Sequence, residues 1–236
     1  MLASSHRTII PGLARHRRTV RNLERTLSSR RRNQKLVVAV IYVCAMLMNS
    51  LDSTMVTVAF ATLGREFDRS PEAMQGVLIG YLVSVAMFIP ASGWLGDRFG
   101  TKRIFLLAIF LFAFGSLLSG LAQTYEQLVL FRVVQGAGGG LLIPVGMAML
   151  YRTYPPEERV RIARILMFAT IIGPALGPMI GGILIEQFSW HAIFFVNVPV
   201  GIVTLIFGGL FLREHREESP GKFDMAGFFL GGIGLA

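Results

Sequence analysis

Six long apolar runs divide this chain of 236 residues, and they constrain its fold more than any other feature. A transmembrane helix needs about 20 mostly apolar residues to cross roughly 30 Å of hydrocarbon. Each run has about that length, and its apolar residues are continuous, not periodic as in an amphipathic helix of a soluble protein. We therefore predict an all-α membrane protein with several spans. The runs cover residues 36–63, 73–95, 104–122, 127–151, 165–185 and 192–212.

The distribution of charge agrees with this fold class. Residues 1–35 hold ten Lys or Arg and one acid, whereas residues 36–236 hold thirteen basic and thirteen acidic side chains. The net charge of +9 therefore lies in the N-terminal tail, and a folded basic domain that binds nucleic acid is excluded. Charged residues make up 16% of the chain, below the roughly 25% that is usual for a soluble domain.

The positions of Lys and Arg predict the orientation of the spans. Twenty of the 23 basic residues lie in the tail, in the loops after the second and fourth runs, or after the sixth run. The loops on the alternate side hold only Arg65 and Arg69, and Arg132 lies inside the fourth run. We expect a multi-pass protein of the cell membrane whose N-terminus faces the cytoplasm.

The tail, residues 1–35, admits two interpretations. Many Arg and Ser with few acids are typical of a mitochondrial or chloroplast transit peptide. We favour a disordered cytoplasmic tail that sets the topology and contacts anionic lipid, because Pro11 would interrupt an amphipathic helix. A cleaved signal peptide is not predicted, since the first apolar run has 28 residues and ends without a small-residue cleavage site.

The remaining residues that often carry chemistry predict neither a metal site nor a cofactor. Cys44 is the single cysteine, and the four histidines are scattered without ligand spacing. The glycine-rich residues 136–140 follow a membrane run, not a strand, and lack the third glycine of a dinucleotide motif. With no phosphate loop and no soluble catalytic domain in this sequence, we expect neither an enzyme nor an ATP-driven pump.

Asp52 and Arg132 are the only charged side chains inside the six runs. A charge near the bilayer centre costs about 2.5–3.5 kcal/mol, so each is a candidate functional residue. Asp52 lies 11 residues before the outer end of its run and Arg132 five residues inside the outer end of the fourth. At 1.5 Å per residue these depths are about 16 and 8 Å, so the two side chains could pair in the outer half of the bilayer.

Two roles are open for this pair. It could be a neutralising ion pair that joins two helices. Alternatively, desolvation favours the neutral acid and a nearby Arg favours the carboxylate, so that the acid loads and releases a proton as a cavity opens to alternate sides. Nearby polar residues are candidates for hydrogen bonds and for lining a substrate cavity: Asn49, Ser53, Thr54 and Gln135.

Residues 93–103, GWLGDRFGTKR, form a second motif at the cytoplasmic end of the second run. Its spaced glycines permit a tight turn and close approach of helices. Its charges are candidates for a latch between neighbouring helices, although an ordinary basic loop would also contain turn glycines. The candidate gating residues are Gly93, Asp97, Arg98, Gly100, Lys102 and Arg103.

Residues 173–182, GPALGPMIGG, form a third motif in the fifth run. Three of its glycines recur every four residues and leave one smooth helix face, while each proline removes a backbone donor and favours a kink. This pattern predicts a bent, closely packed helix suited to a hinge or seal; simple packing of small residues is the alternative. The motif residues are Gly173, Pro174, Gly177, Pro178, Gly181 and Gly182.

These stretches resemble the N-terminal half of a major facilitator superfamily transporter, within the group of fourteen-helix drug:proton antiporters. GWLGDRFGTKR is similar to the superfamily signature G-x-L-A-D-R-x-G-R-K, with Gly96 at the usual Ala and Thr101 at a usually basic position. Residues 51–59, 130–140, 173–182 and 190–201 resemble motifs of spans one, four, five and six. The resemblance covers about residues 36–236.

The resemblance implies a six-helix N-terminal bundle over residues 36–212, a short cytoplasmic linker over residues 213–224, and the start of a seventh helix over residues 225–236. A linker this short favours the fourteen-helix group over relatives with twelve helices. On this expectation the chain is an N-terminal fragment, and its partner is the C-terminal half of the same transporter.

The resemblance also implies a proton-driven exporter of lipophilic or drug-like compounds that works by alternating access. Asp52 would titrate and Arg132 would tune it, with a small molecule and protons as the ligands. Two alternatives stay open: a proton-coupled symporter of a small nutrient, and a truncated membrane protein with a regulatory role instead of transport.

Overall fold

The structure is a computed structural model that describes the backbone of residues 11–217 and of four later residues, Gly221, Phe223, Phe228 and Gly234. Side chains are described from Gln34 onward within this set. The expected start of a seventh helix, residues 225–236, therefore lies outside the described residues except for Phe228 and Gly234.

The chain divides into two units, residues 1–36 and residues 37–236. In the first unit the described backbone is helical from Pro11 onward. This differs from the disordered tail that Pro11 led us to expect. Pro11 is the first described residue of this helix, which runs without a break to Val58.

The described helices account for most of the chain. In chain order they are α1 (Pro11–Val58), α2 (Phe60–Glu66), α3 (Gln75–Phe99), α4 (Thr101–Gly120), α5 (Tyr125–Thr153), α6 (Pro156–Gln187), α7 (Ala192–Phe195) and α8 (Asn197–Phe211). Six segments among the described residues are long and apolar enough to cross a bilayer, which confirms the all-α membrane fold. Spans one to six are Gln34–Val58 of α1, then α3, α4, α5, α6, and Ala192–Phe211 formed by α7 and α8.

Local sequence explains the start of span four and the division within span six. The hydroxyl of Thr124 accepts a hydrogen bond from the Gln127 amide at 3.2 Å, a typical cap for the start of α5. Span six is divided between α7 and α8 near Pro199, which has no amide to bond the carbonyl four residues earlier. The same proline is tolerated in the first turn of α8, so Asn197 becomes the first residue of that helix.

Span four is packed closely against its neighbours through the glycine run 136–140. A Cβ atom built on Gly138 would lie 2.6 Å from the carbonyl oxygen of Ala108 in α4. On Gly140 it would lie 2.5 Å from the carbonyl oxygen of Val85 in α3. Any larger side chain would separate these helices, so the run allows α5 to approach both α3 and α4.

The polar centre of the second unit lies between two apolar clusters. Along α1, the buried members of one cluster end at Ala45 and those of the other begin at Met55. Along α5, the corresponding limits are Leu141 and Leu128. Asp52 falls in the first interval, and Arg132 and Gln135 fall in the second.

Candidate functional site

The structure pairs Asp52 and Arg132, the two charged residues of the six apolar runs. Arg132 Nη1 donates to Asp52 Oδ2 at 2.5 Å, and both side chains have no exposed surface. Asp52 lies on α1 and Arg132 on α5, 80 residues apart in sequence. Removing either partner would leave an uncompensated charge away from water, so the two side chains act as a unit.

Two amide side chains hold the other carboxylate oxygen. Gln135 Nε2 and Asn197 Nδ2 each donate to Asp52 Oδ1 at 2.9 Å. Gln135 Oε1 also accepts from Arg132 Nη1 at 2.8 Å, which closes a ring of three side chains. The carboxylate thus accepts three N–H groups from α5 and α8, an arrangement that stabilises its ionised form.

Asn197 is in turn held by span three. Its Nδ2 donates to Ser116 Oγ at 3.0 Å, and Ser116 donates its own proton to the carbonyl oxygen of Phe194 at 2.9 Å. Sequence reasoning missed Asn197, although it is one of two polar residues, with Thr204, in an otherwise apolar run. That signal was sufficient to find it. Ser116 had no comparable signal, because serine is common in membrane helices.

Tyr81 of α3 covers the guanidinium group of Arg132. The Arg132 Cζ atom lies 4.2 Å from the centre of the Tyr81 ring, within the range of a cation–π contact. The Tyr81 hydroxyl donates to Asn49 Oδ1 at 2.5 Å. The Nε and Nη2 atoms of Arg132 are buried and have no hydrogen-bond partner within the part of the chain that the structure describes. The ring face is therefore the main contact of that side of the guanidinium.

The four candidate cavity residues separate into two groups. Gln135 belongs to the ring around Asp52, and Asn49 is joined to it through Tyr81. Ser53 instead donates to the backbone carbonyl of Asn49 at 3.1 Å, and Thr54 donates to that of Leu51 at 3.0 Å. Both hydroxyls donate to carbonyls of α1, as is common for hydroxyl side chains inside helices, and Ser53 also hydrogen-bonds the Tyr81 side chain.

The motif of residues 93–103 forms a charged cluster with later parts of the chain. Arg152 Nη2, at the end of α5, lies 3.1 Å from Asp97 Oδ1 and 3.5 Å from Glu217 Oε1. Arg103 Nε lies 3.6 Å from Glu214 Oε2. All these side chains are partly exposed, so each pair contributes only about 0–1 kcal/mol. The cluster joins α3 and α5 to the segment after α8.

The start of α4 is capped by that same segment. Glu214 Oε1 accepts from the Lys102 amide at 3.0 Å, and the His215 carbonyl accepts from the Thr101 amide at 2.9 Å. Lys102 Nζ donates to the Gly209 carbonyl at 2.7 Å, near the end of α8. Thr101, where the signature usually has a basic residue, is buried.

Within the same motif, Gly100 has a φ angle of +101°, which favours glycine at the junction of α3 and α4. Two other candidate gating residues, Gly93 and Arg98, are exposed.

The glycine ladder of span five faces span one. Gly173, Gly177 and Gly181 are buried, and Cβ atoms built on them would meet Ser50, Thr54 and Met55 of α1. The intervening Pro174 and Pro178 are exposed, and α6 continues through both as one helix. Gly182, the last motif residue, has open space where its Cβ would lie. The ladder therefore brings α6 against α1 on both sides of Asp52.

Together the fold and the buried network define a polytopic α-helical membrane protein that holds an ion pair, Asp52 with Arg132, inside its helix bundle. Residues 42–231 match the family model of the Major Facilitator Superfamily. The chain belongs to this superfamily, as its motifs predict, and the superfamily comprises membrane transporters, not a class of enzymes.

Curated relatives share substantial identity with this chain. It is 39% identical over 189 residues to proteins named "Putative multidrug resistance protein MdtD" from Yersinia pestis (strain Pestoides F) and Yersinia pseudotuberculosis serotype O:1b (strain IP 31758). Each match covers 80% of this chain and 40% of the relative. The chain thus spans less than half the length of these relatives.

Solved structures show the same fold at low identity. The proton:xylose symporter XylE bound to 6-bromo-6-deoxy-D-glucose superposes with a TM-score of 0.67 at 16% identity, covering 77% of this chain and 45% of that one. The human organic anion transporter MFSD10 (TETRAN) gives 0.65 at 19%, covering 82% and 53%. At these identities the likeness shows the fold alone.

Proposed function

We propose that this chain forms the N-terminal bundle of a proton-coupled secondary transporter that exports lipophilic or drug-like compounds by alternating access. The observation that carries the proposal is the fully buried pair of Asp52 and Arg132 inside spans one and four. Ionisable residues in such positions commonly serve as proton relays in transporters. The multidrug-resistance name of the relatives supports the substrate class.

Protonation of Asp52 would change the balance of charge in the bundle. The neutral acid no longer attracts Arg132, which would keep only Gln135 Oε1 and the Tyr81 ring as contacts. A buried cation without its counter-ion is costly, so the helices that carry the pair would rearrange. The two protonation states thus favour different arrangements of the same helices, as alternating access requires.

The charged cluster around Asp97 is suited to a gate that opens in every cycle. Its ion pairs with Arg152 and Glu217 are partly exposed and individually weak, so they stabilise one arrangement without locking it. The glycine ladder of α6 adds a smooth face that can slide or seal against α1 next to Asp52.

The exposed side chains of the spans indicate what surrounds the helix bundle. Spans carry exposed large apolar side chains, among them Phe168, Met179 and Leu210, which suit contact with lipid or with a second helix bundle. We place the protein in the cell membrane, with the N-terminus and the ends that carry Asp97 and Arg152 in the cytoplasm, from the distribution of Lys and Arg. A small molecule and protons are its ligands, and a C-terminal helix bundle of the same transporter would complete the substrate path.

Transport of a lipophilic cation tests this proposal. The reading frame that contains these residues is expressed, and ethidium movement and proton movement are followed together in inverted membrane vesicles under an imposed pH gradient. Asp52→Asn is expected to abolish transport driven by the gradient, because residue 52 can no longer exchange a proton. Glu72→Gln, which changes an exposed acid, is the matched control and is expected to retain transport.

The directions of the proton and ethidium fluxes distinguish antiport from symport. Proton and ethidium fluxes in opposite directions support antiport, whereas fluxes in the same direction support symport. If Asp52→Asn transports ethidium with an unchanged dependence on pH, Asp52 is not the coupling acid.

A further inference from the structure

We propose that Asn197, oriented by Ser116, is a positioning residue that keeps Asp52 ionised and paired with Arg132 until the helices move. This inference rests on the proposed function in one respect, namely that Asp52 takes up a proton during transport. It adds spans three and six to a coupling site that sequence motifs assign to spans one and four.

Asn197 is buried against the carboxylate of Asp52. Asn197 is 2% exposed, and its Nδ2 lies 2.9 Å from Asp52 Oδ1. A hydrogen bond from an amide to an ionised carboxylate is stronger than one between neutral groups, particularly away from water. Asn197 therefore favours the charged form of Asp52.

Ser116 fixes the orientation of the Asn197 amide. The Ser116 hydroxyl has a single proton, and it donates that proton to the Phe194 carbonyl at 2.9 Å. Toward Asn197 it can act only as an acceptor, at 3.0 Å from Nδ2. A flipped amide would turn its oxygen toward two acceptors, so Ser116 ensures that Asn197 presents N–H groups to Asp52.

Groups from several helices surround Asp52. Among the described residues, the charged and titratable ones are Arg132 from α5 and Tyr81 from α3. Span three and span six contribute the neutral Ser116 and Asn197, and α5 adds the neutral Gln135. Arg132 and Gln135 both donate from α5, whereas Asn197 donates from α8. The hydrogen bond from Asn197 therefore depends on where α8 lies relative to Asp52.

The position of Asn197 links Asp52 to movements of α8. Asn197 is the first residue of α8, immediately after the interruption between α7 and α8 at Val196. A shift of α8 away from α1 would withdraw one donor from Asp52 and ease its protonation. The proton affinity of Asp52 would thus depend on the arrangement of the bundle, which a coupling site requires.

Infrared spectroscopy of the purified protein across a pH series tests this inference without any substrate. The band of the protonated Asp52 carboxyl is identified as the carboxyl band that Asp52→Asn removes. Asn197→Ala is expected to move the midpoint of that band to higher pH by about one unit, a tenfold change in proton affinity. Ser116→Ala is expected to move it in the same direction by less, because the Asn197 amide can then flip.

Thr204→Val is the matched control. Thr204 is the other buried polar residue of α8, and its hydroxyl bonds the Val200 carbonyl of its own helix at 2.7 Å. It is expected to leave the midpoint unchanged, so a shift that occurs in all variants would indicate general loosening and overturn the inference.

The remaining outcomes are distinct. A band that titrates but has the same midpoint in wild type, Asn197→Ala and Ser116→Ala overturns the role of Asn197 alone. If Asn197→Ala does not fold, Ser116→Ala decides by the presence or absence of its upward shift. If no carboxyl band of Asp52 titrates at any pH, the proposed function itself fails.

Discussion

Replacing Arg132 by Met would isolate the carboxylate of Asp52 inside the bundle. Met has a similar length and no charge, so the substitution removes the donor at 2.5 Å and the donor to Gln135 Oε1 together. Both partners of the pair have no exposed surface. Breaking a buried pair by removing one partner costs about 3–5 kcal/mol, because the other charge is left without compensation.

This cost depends on pH in a direction that follows from the charge left behind. In Arg132→Met the destabilising group is ionised Asp52, so the loss of stability is full at high pH. As the pH falls and Asp52 takes up a proton, the buried charge disappears and part of the stability returns. Wild type gains nothing comparable, since protonation there leaves Arg132 unpaired.

The double variant Asp52→Asn with Arg132→Met removes both charges and is expected to regain most of the lost stability at high pH. Thermal unfolding in detergent measures the effect: at about 2–4 °C per kcal/mol for a chain of this size, Arg132→Met would lower the midpoint by roughly 6–20 °C. If the single and double variants unfold at the same temperature at every pH, the carboxylate is not isolated by the substitution and the reasoning about the pair is wrong.

Two further predictions concern glycines. Gly177→Ala places a Cβ against Thr54 and is expected to lower the unfolding temperature, whereas Gly182→Ala, with open space in the same helix, is expected to keep or raise it, because Ala favours a helix by up to about 1 kcal/mol. Equal effects of the two would contradict the close packing of α6 on α1. Gly100→Ala is expected to cost about 1–2 kcal/mol from the φ angle of +101°, measured by the same unfolding assay. It would also displace Glu214 from the start of α4; unchanged stability would refute this account of the junction.

Several features could be predicted from the sequence because they depend on short stretches of chain. The length and apolarity of a run are sufficient to predict a membrane span, and the six spans are confirmed. A charge inside such a run has a high free-energy cost of insertion, so Asp52 and Arg132 could each be identified from the sequence without knowing their neighbours in space. The helical backbone of the tail from Pro11 onward was not identifiable in this way.

The sequence indicated Arg132 and Gln135 as partners of Asp52, whereas the contributions of Asn197 and Tyr81 were decided only by the tertiary structure. Asn197 is 145 residues away from Asp52, and Tyr81 covers Arg132 from a third helix. Ser53, adjacent in sequence to Asp52, donates its hydroxyl proton to a carbonyl of its own helix instead.

The physical reason lies in the range of each interaction. Insertion into a bilayer is a property of about 20 consecutive residues, which the sequence displays directly. A hydrogen bond to Asp52 requires that a helix be rotated and brought to within about 3 Å of it. That placement depends on how helices pack through residues such as Gly138 and Gly177, far from the atoms that meet at the site. The sequence by itself determined which segments enter the membrane and which charges they carry; the packing of those segments decided which groups surround the acid.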